Sequence, residues 1–186
     1  MTIVMPDRDH DLLEVVHSIH DALELPEGYR AEVIGGQITV AASPFGMHAF
    51  IIAEIRKAVH GNLPVGYGLF ENITVQEPDG DRYIPDAGAW PEELIRTPTK
   101  WVFPAGGCVL AVEVTSPGQE DRDYAKAAGY ARSGTPVYLI VDQKARQCVV
   151  HSEPENGSYQ EIHVAAFGKD VVLPLETPVT VDTSRF

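Results

Sequence analysis

Apolar residues in this chain follow two periods, and each change of period marks an element. Leu12, Val16, Ile19 and Leu23 recur at helical spacing, so residues 9–24 are expected to form an amphipathic helix ending at Pro26-Glu27-Gly28. His10, Glu14, His17 and Asp21 share the opposite face; their spacing could hold a metal, but a solvated polar face explains them better. Residues 29–34 and 37–42 read as strands joined at Gly35-Gly36, a hairpin turn and not a phosphate loop. A second helix is expected over 45–62, with Ile51, Ile52, Ile55 and Val59 inward. Two strands follow, 69–76 and 82–89, with the turn Pro78-Asp79-Gly80-Asp81 between them. Residues 91–104, punctuated by prolines, read as a loop with one helical turn. After a buried strand at 108–115, a third helix runs from about Glu120 to Ser133, with Gly134 in the capping position and Pro136 beyond. Residues 137–142 and 147–151 form a hairpin-like pair, and 159–164 and 171–173 are late strands. The tail from Pro174 (174–186) shows no element. The order predicts one α/β or α+β domain over 1–186, a sheet with helices on its faces.

The run Cys108-Val-Leu-Ala-Val-Glu-Val-Thr-Ser-Pro117 carries the chemistry. Aliphatic residues flank Glu113 on both sides, the pattern of a central strand covered on both faces. A carboxylate there is costly unless a cation or strong donors receive it, which points to a function for Glu113. Composition narrows the choice. The chain has 186 residues and a net charge of −13, with Lys and Arg thinly spread, so it has no electrostatic footprint for a nucleic acid. No apolar run approaches a membrane span, no secretory signal is evident, and Cys108 and Cys148 read as reduced core residues, so a cytoplasmic protein is expected.

Asp86, Glu113 and Lys126 can converge if the strands at 82–89 and 108–115 are neighbours. Two such carboxylates repel unless a divalent cation bridges them, and oxygen ligands of this kind suit magnesium. For Asp86 alone a strand-end Pro-Asp turn is the plainer reading; for Lys126, a solvated helix lysine. Arg122 and Tyr130 share the face of Lys126, as a surface arginine and a core ring. His48 alone reads as a cap or a surface histidine. Ser116 lacks a Gly-x-Ser-x-Gly context, and Ser116-Pro117-Gly118 reads as a helix-entry turn.

Ile84-Pro85-Asp86, Glu113-Val114-Thr115-Ser116-Pro117, Lys126 with Tyr130, and Tyr138-Leu139-Ile140-Val141-Asp142 follow in that order. This series resembles the Uma-two family of restriction-endonuclease-like proteins, in the PD-(D/E)XK nuclease superfamily. Residues 29–38, with Pro44 and His48, resemble the N-terminal part of that family. The resemblance implies a mixed central sheet flanked by helices, with antiparallel strands added at both ends. It implies endonuclease activity on DNA, with Asp86 and Glu113 holding Mg2+ or Mn2+ and the Val114 carbonyl as a further ligand. The superfamily pattern has a lysine two residues after Glu113, on the same strand face. Thr115 stands there, and Lys126 on the next helix matches the place to which the lysine has moved in this family. Glu32 and His48 match positions that complete the pocket, as second metal ligand or base. A homodimer, common in the superfamily, would gather the scattered Arg and Lys into one groove. Thr115 and the net charge leave two rivals: a non-catalytic binding or regulatory module with the nuclease fold, and a metal-dependent hydrolase of small phosphorylated compounds.

Overall fold

The computed structural model describes residues 8–26, 29–42, 46–116, 118 and 120–186, without the side chains of 8–11, 41 and 42. Glu27, Gly28, Pro44, Phe45 and Pro117, and the side chain of His10, lie outside the described residues. The elements are α1 (Arg8–Ala22), β1 (Tyr29–Ile34), β2 (Gln37–Ala42), α2 (Gly46–Val59), β3 (Tyr67–Phe70) and β4 (Thr74–Gln76). Then come β5 (Arg82–Tyr83), β6 (Ala87–Pro91), α3 (Glu92–Ile95), β7 (Val102–Pro104) and β8 (Leu110–Val114). The chain continues with α4 (Glu120–Ala125), α5 (Ala127–Arg132), β9 (Val137–Asp142), β10 (Gln147–Glu155), β11 (Ser158–Ala166), β12 (Val171–Leu173) and β13 (Val179–Val181).

A six-stranded sheet, β11-β10-β9-β8-β6-β3, forms the centre, with β8 parallel to β9 and its other pairs antiparallel. A second sheet runs β2-β1-β5-β4-β7. Every residue of β8 is buried, as its aliphatic run predicts. Leu110, Val112 and Val114 face one core, filled by Ile51, Ile52, Ile55 and Val59 of α2. Ala111 faces the other, filled by Tyr83, Trp90, Tyr130, Tyr138 and Ile140. The period of two puts Glu113 on the side of Ala111. No helix among the described residues is long and apolar enough to cross a membrane.

Two expected strands are each divided between the sheets. Residues 69–76 become β3 of the large sheet and β4 of the small one, turning near Asn72 (φ 58°). Residues 82–89 become β5 of the small sheet and β6 of the large one. Pro85, which has no N–H for a ladder, lies in the break, and so does Asp86. The third helix likewise breaks at Lys126 into α4 and α5. The tail, without a predicted element, holds β13 and sends Leu175, Val179, Val181 and Phe186 into the core against α2.

Helix α1 corrects an expectation. Leu12 and Ile19 are 64% and 52% exposed, while His17 and Asp21 turn toward the body of the protein. The His17 ring nitrogen Nε2 lies 2.8 Å from the Gly80 carbonyl oxygen, and Asp21 pairs with Arg82 at 2.6 Å. Specific partners on the β4–β5 turn and strand set the rotation of this helix, against the apolar stripe. Leu13 packs over Gly80 so closely that a Cβ would collide with it, and the φ of 94° there also calls for glycine.

Candidate active site

Three elements bring carboxylates to the face of Glu113. β6 pairs with β8 so that Ala87 lies opposite Val112; one step further, the same register carries Asp86 to the side of Glu113. β1 supplies Arg30 and Glu32, two positions apart and so on one face. The break between α4 and α5 supplies Lys126, with Asp123 one turn before it. Gly129 lets α5 lie on Tyr83, since a Cβ there would collide with the tyrosine ring. The Lys126 ammonium stands 6.0 Å from the centre of that ring.

Lys126 is wholly buried, and its Nζ lies 2.8 Å from Glu113 Oε1, 2.9 Å from Glu32 Oε1 and 3.5 Å from Asp123 Oδ1. Arg122 reaches Glu32 Oε2 at 3.2 Å and Asp123 at 3.3 Å. Asp86 is held on both oxygens. Arg30 donates to Oδ1 at 3.0 Å, and the Val114 backbone N–H donates to Oδ2 at 2.8 Å. His48 Nε2 also lies 2.8 Å from Oδ2. Thr115 is turned to structure: its hydroxyl accepts the Gln143 N–H at 3.1 Å, and its carbonyl accepts the Gln143 amide at 2.7 Å.

The charges sort these acids. Burial pushes the Asp86 carboxyl up, but the His48 hydrogen bond, Arg30 and the Val114 N–H outweigh it and hold it at about 2. Burial also opposes ionisation of Glu32, yet Lys126, Arg122 and Arg30 keep it below the usual range. Burial would discharge Lys126, and Glu113, Glu32 and Asp123 together hold it charged. Glu113 goes the other way. Complete burial lifts its carboxyl well above the usual range, and Asp86, Asp123 and Glu32 add to the lift against the pull of Lys126. Its Oε2 is buried with no hydrogen-bond partner. Four carboxyls, Glu32, Asp86, Glu113 and Asp123, thus share three fixed cations, Arg30, Arg122 and Lys126.

The candidates named from the sequence, Glu32, His48, Asp86, Glu113 and Lys126, all belong to this one cluster. The backbone N–H of Val114 is engaged at the site, donating to Asp86. His48 and Lys126 are buried against carboxylates, not the surface residues that isolated reading favours, and Arg122 is drawn in as well. Arg30 and Asp123 went unnamed. Their only sequence signals are the alternation of Arg30 with Glu32 and the helical spacing of Asp123 and Lys126.

A hard divalent ion fits these residues in donor chemistry. Glu113 Oε2 is a buried oxygen without a donor. The meeting point of Glu32, Glu113 and Asp123 is taken by the Lys126 ammonium, and among the described residues no three His, Cys, Asp or Glu side chains are grouped to hold a metal. Beside His48 a cavity of about 450 Å³ opens to solvent, lined by Met47, Thr115, Ser116, Gln143 and Lys144 among others.

Comparison with known proteins adds the following. The family described as "Uma2: Putative restriction endonuclease" matches residues 19–184. A crystal structure from Anabaena variabilis, described as "a putative nuclease belonging to DUF820", is 20% identical and superposes with a TM-score of 0.64. The match covers 83% of this chain and 85% of that one, and it shows a shared fold. No curated protein matches.

Proposed function

The chain belongs to the Uma2 family, and from that premise we propose that it is a divalent-metal-dependent endonuclease hydrolysing phosphodiester bonds in DNA. The observation that carries the reading is Glu113: a wholly buried carboxyl, tied by one oxygen to Lys126 and left without a donor on the other. Left unmatched, such a buried acceptor costs about 1–3 kcal/mol, a cost that a bound cation would remove.

In this reading Asp86 and Glu113 hold Mg2+ or Mn2+. When bound, the ion polarises the phosphodiester, acidifies an attacking water and stabilises the leaving oxygen. Arg30 and His48 keep Asp86 ionised and aimed. Lys126 fixes Glu113 Oε1 and places positive charge beside the reacting phosphate. Glu32 holds Lys126 and accepts the Ile84 N–H at 2.7 Å, which fixes the chain leading to Asp86. The cavity beside His48 gives substrate its approach.

Plasmid DNA should be nicked by the pure protein with Mg2+ or Mn2+ and spared under chelation, and Glu113→Gln should abolish nicking. Nicking that survives chelation or Glu113→Gln would overturn the proposal. One observation favours a second reading, a non-catalytic module on the same fold: the Lys126 ammonium already neutralises the carboxylates where they meet. Calorimetry separates the two. A catalytic site takes up Mn2+ and loses that uptake in Asp86→Ala, whereas a binding module shows no uptake.

A further inference from the structure

β11 forms one edge of the large sheet and lacks the features that keep edges from pairing. Among the described residues it pairs with β10 alone. It runs nine residues and is exposed except at Tyr159 and Ala165. Edges are ordinarily blunted by shortness, bulges, Lys or Pro. Ser158-Tyr-Gln-Glu-Ile-His-Val-Ala-Ala166 has neither Lys nor Pro, and its pairing with β10 is unbroken from Gln147↔Ala166 to Ser152↔Glu161; the ladder is interrupted beyond that, at Glu153 (φ 56°) opposite Gln160. β3, the opposite edge of the same sheet, has four residues, all half-buried. On β11, Ile162 and Val164 share a strand face and are 61% and 53% exposed. The chain carries −13 overall, yet this segment has one acid, Glu161, with His163 two places on.

We propose that β11 pairs antiparallel with β11 of a second copy of this chain, joining two large sheets across a two-fold axis at Ile162. The segment is complementary to itself about that residue. Glu161 of each copy falls opposite the partner's His163, whose imidazole N–H donates to a carboxylate in either protonation state. Ile162 meets its counterpart, and the two Val164 side chains flank them on the same face, a cross-strand aliphatic cluster. The backbone groups of both edges gain partners that the isolated chain leaves to water. An axis centred on Glu161 instead would set two carboxylates against each other.

Sedimentation equilibrium of the full chain tests this. The wild type should be dimeric at tens of micromolar, and Ile162→Lys should be monomeric, because the axis sets two ammonium groups face to face. Glu161→Lys and His163→Glu should each weaken the dimer about tenfold, since each change acts twice across the axis. The double variant Glu161→Lys/His163→Glu should restore it, since the pair is only reversed. A wild type monomeric at about 100 µM overturns the proposal. So does a dimer indifferent to Ile162→Lys, or a double variant no better than its parents. Should a variant fail to fold, hydrogen exchange on the wild type decides. Amides at 160–164 protected more at high concentration support the pairing; fast exchange at every concentration overturns it.

Discussion

Helix α5 begins just after Lys126 and ends just before Ser133, and each of these residues meets a buried carboxylate. At the first end, Glu32 is 1% exposed and touches Lys126 and Arg122, which hold it ionised. At the other, Glu77 is 2% exposed and has a hydroxyl, that of Ser133, in place of a cation. Burial pushes Glu77 up to about 7; Ser133 opposes the rise, and Asp79 and Asp81 assist it. Arg132, the nearby cation, is paired with Asp79. The two acids are equally deep, so depth does not decide their state. For these two the charge in contact does; Glu113, which also touches Lys126, still rises because burial with Asp86, Asp123 and Glu32 outweighs that pull. Charged chemistry belongs to the Lys126 end, and the Ser133 end makes a group that titrates near neutrality.

The largest effect should come from removing the cation. Lys126→Met leaves Glu32, Glu113 and Asp123 buried without their shared partner and should destabilise the chain by about 3–5 kcal/mol in urea unfolding. Glu113→Gln should cost under about 1 kcal/mol, because burial already favours the neutral form of that carboxyl. Equal costs for the two substitutions would mean that Lys126 is not what holds the charged end of α5 together.

Next in size is the pH dependence of Glu77. Its folded value, about 7, stands above its unfolded value of 4.5, so the folded state holds a proton that the unfolded state releases. The resulting stability is full below about 4.5, falls as pH rises and is gone above about 7, a change on the order of 3 kcal/mol. Glu77→Gln should flatten that decline. An unchanged slope in the variant would place the titration elsewhere.

Much of this was legible before the fold. The aliphatic run around Glu113 announced a central strand, and the order of Asp86, Glu113 and Lys126 survived into one cluster. The rotation of α1 was hidden, because His17 and Asp21 find partners on segments about 60 residues away, where helical periodicity says nothing. The division of 69–76 and 82–89 between two sheets was hidden as well. A strand pattern reports which residues alternate, not which sheet takes each half. Arg30 stayed unnoticed because a lone arginine on a hairpin strand looks solvated until Asp86 is brought to it.

Asp86 tests the charged end from the acid side. Its folded value, about 2, lies below the unfolded 3.8, so its contribution is present above about pH 4 and lost as pH falls to about 2. That loss should be on the order of 2 kcal/mol, and Asp86→Asn should remove this acid limb from the stability profile. A persisting limb would assign it to Glu32, which the same cations hold low.

The smallest effect concerns Ser133. Its hydroxyl donates to Glu77 Oε2, and Glu77 Oε1 has no hydrogen-bond partner. A hydroxyl donor favours the ionised carboxylate over the neutral acid. Ser133→Ala should therefore cost about 1 kcal/mol at pH 9 and less at pH 5, where Glu77 is protonated. The titration of Glu77 should move further up in the same variant, because nothing replaces the lost donor. A cost equal at both pH values would mean that Ser133 merely fills space at the end of α5. The Ser133 end would then differ from the Lys126 end only in lacking a cation, and the hydroxyl would have no part in the contrast.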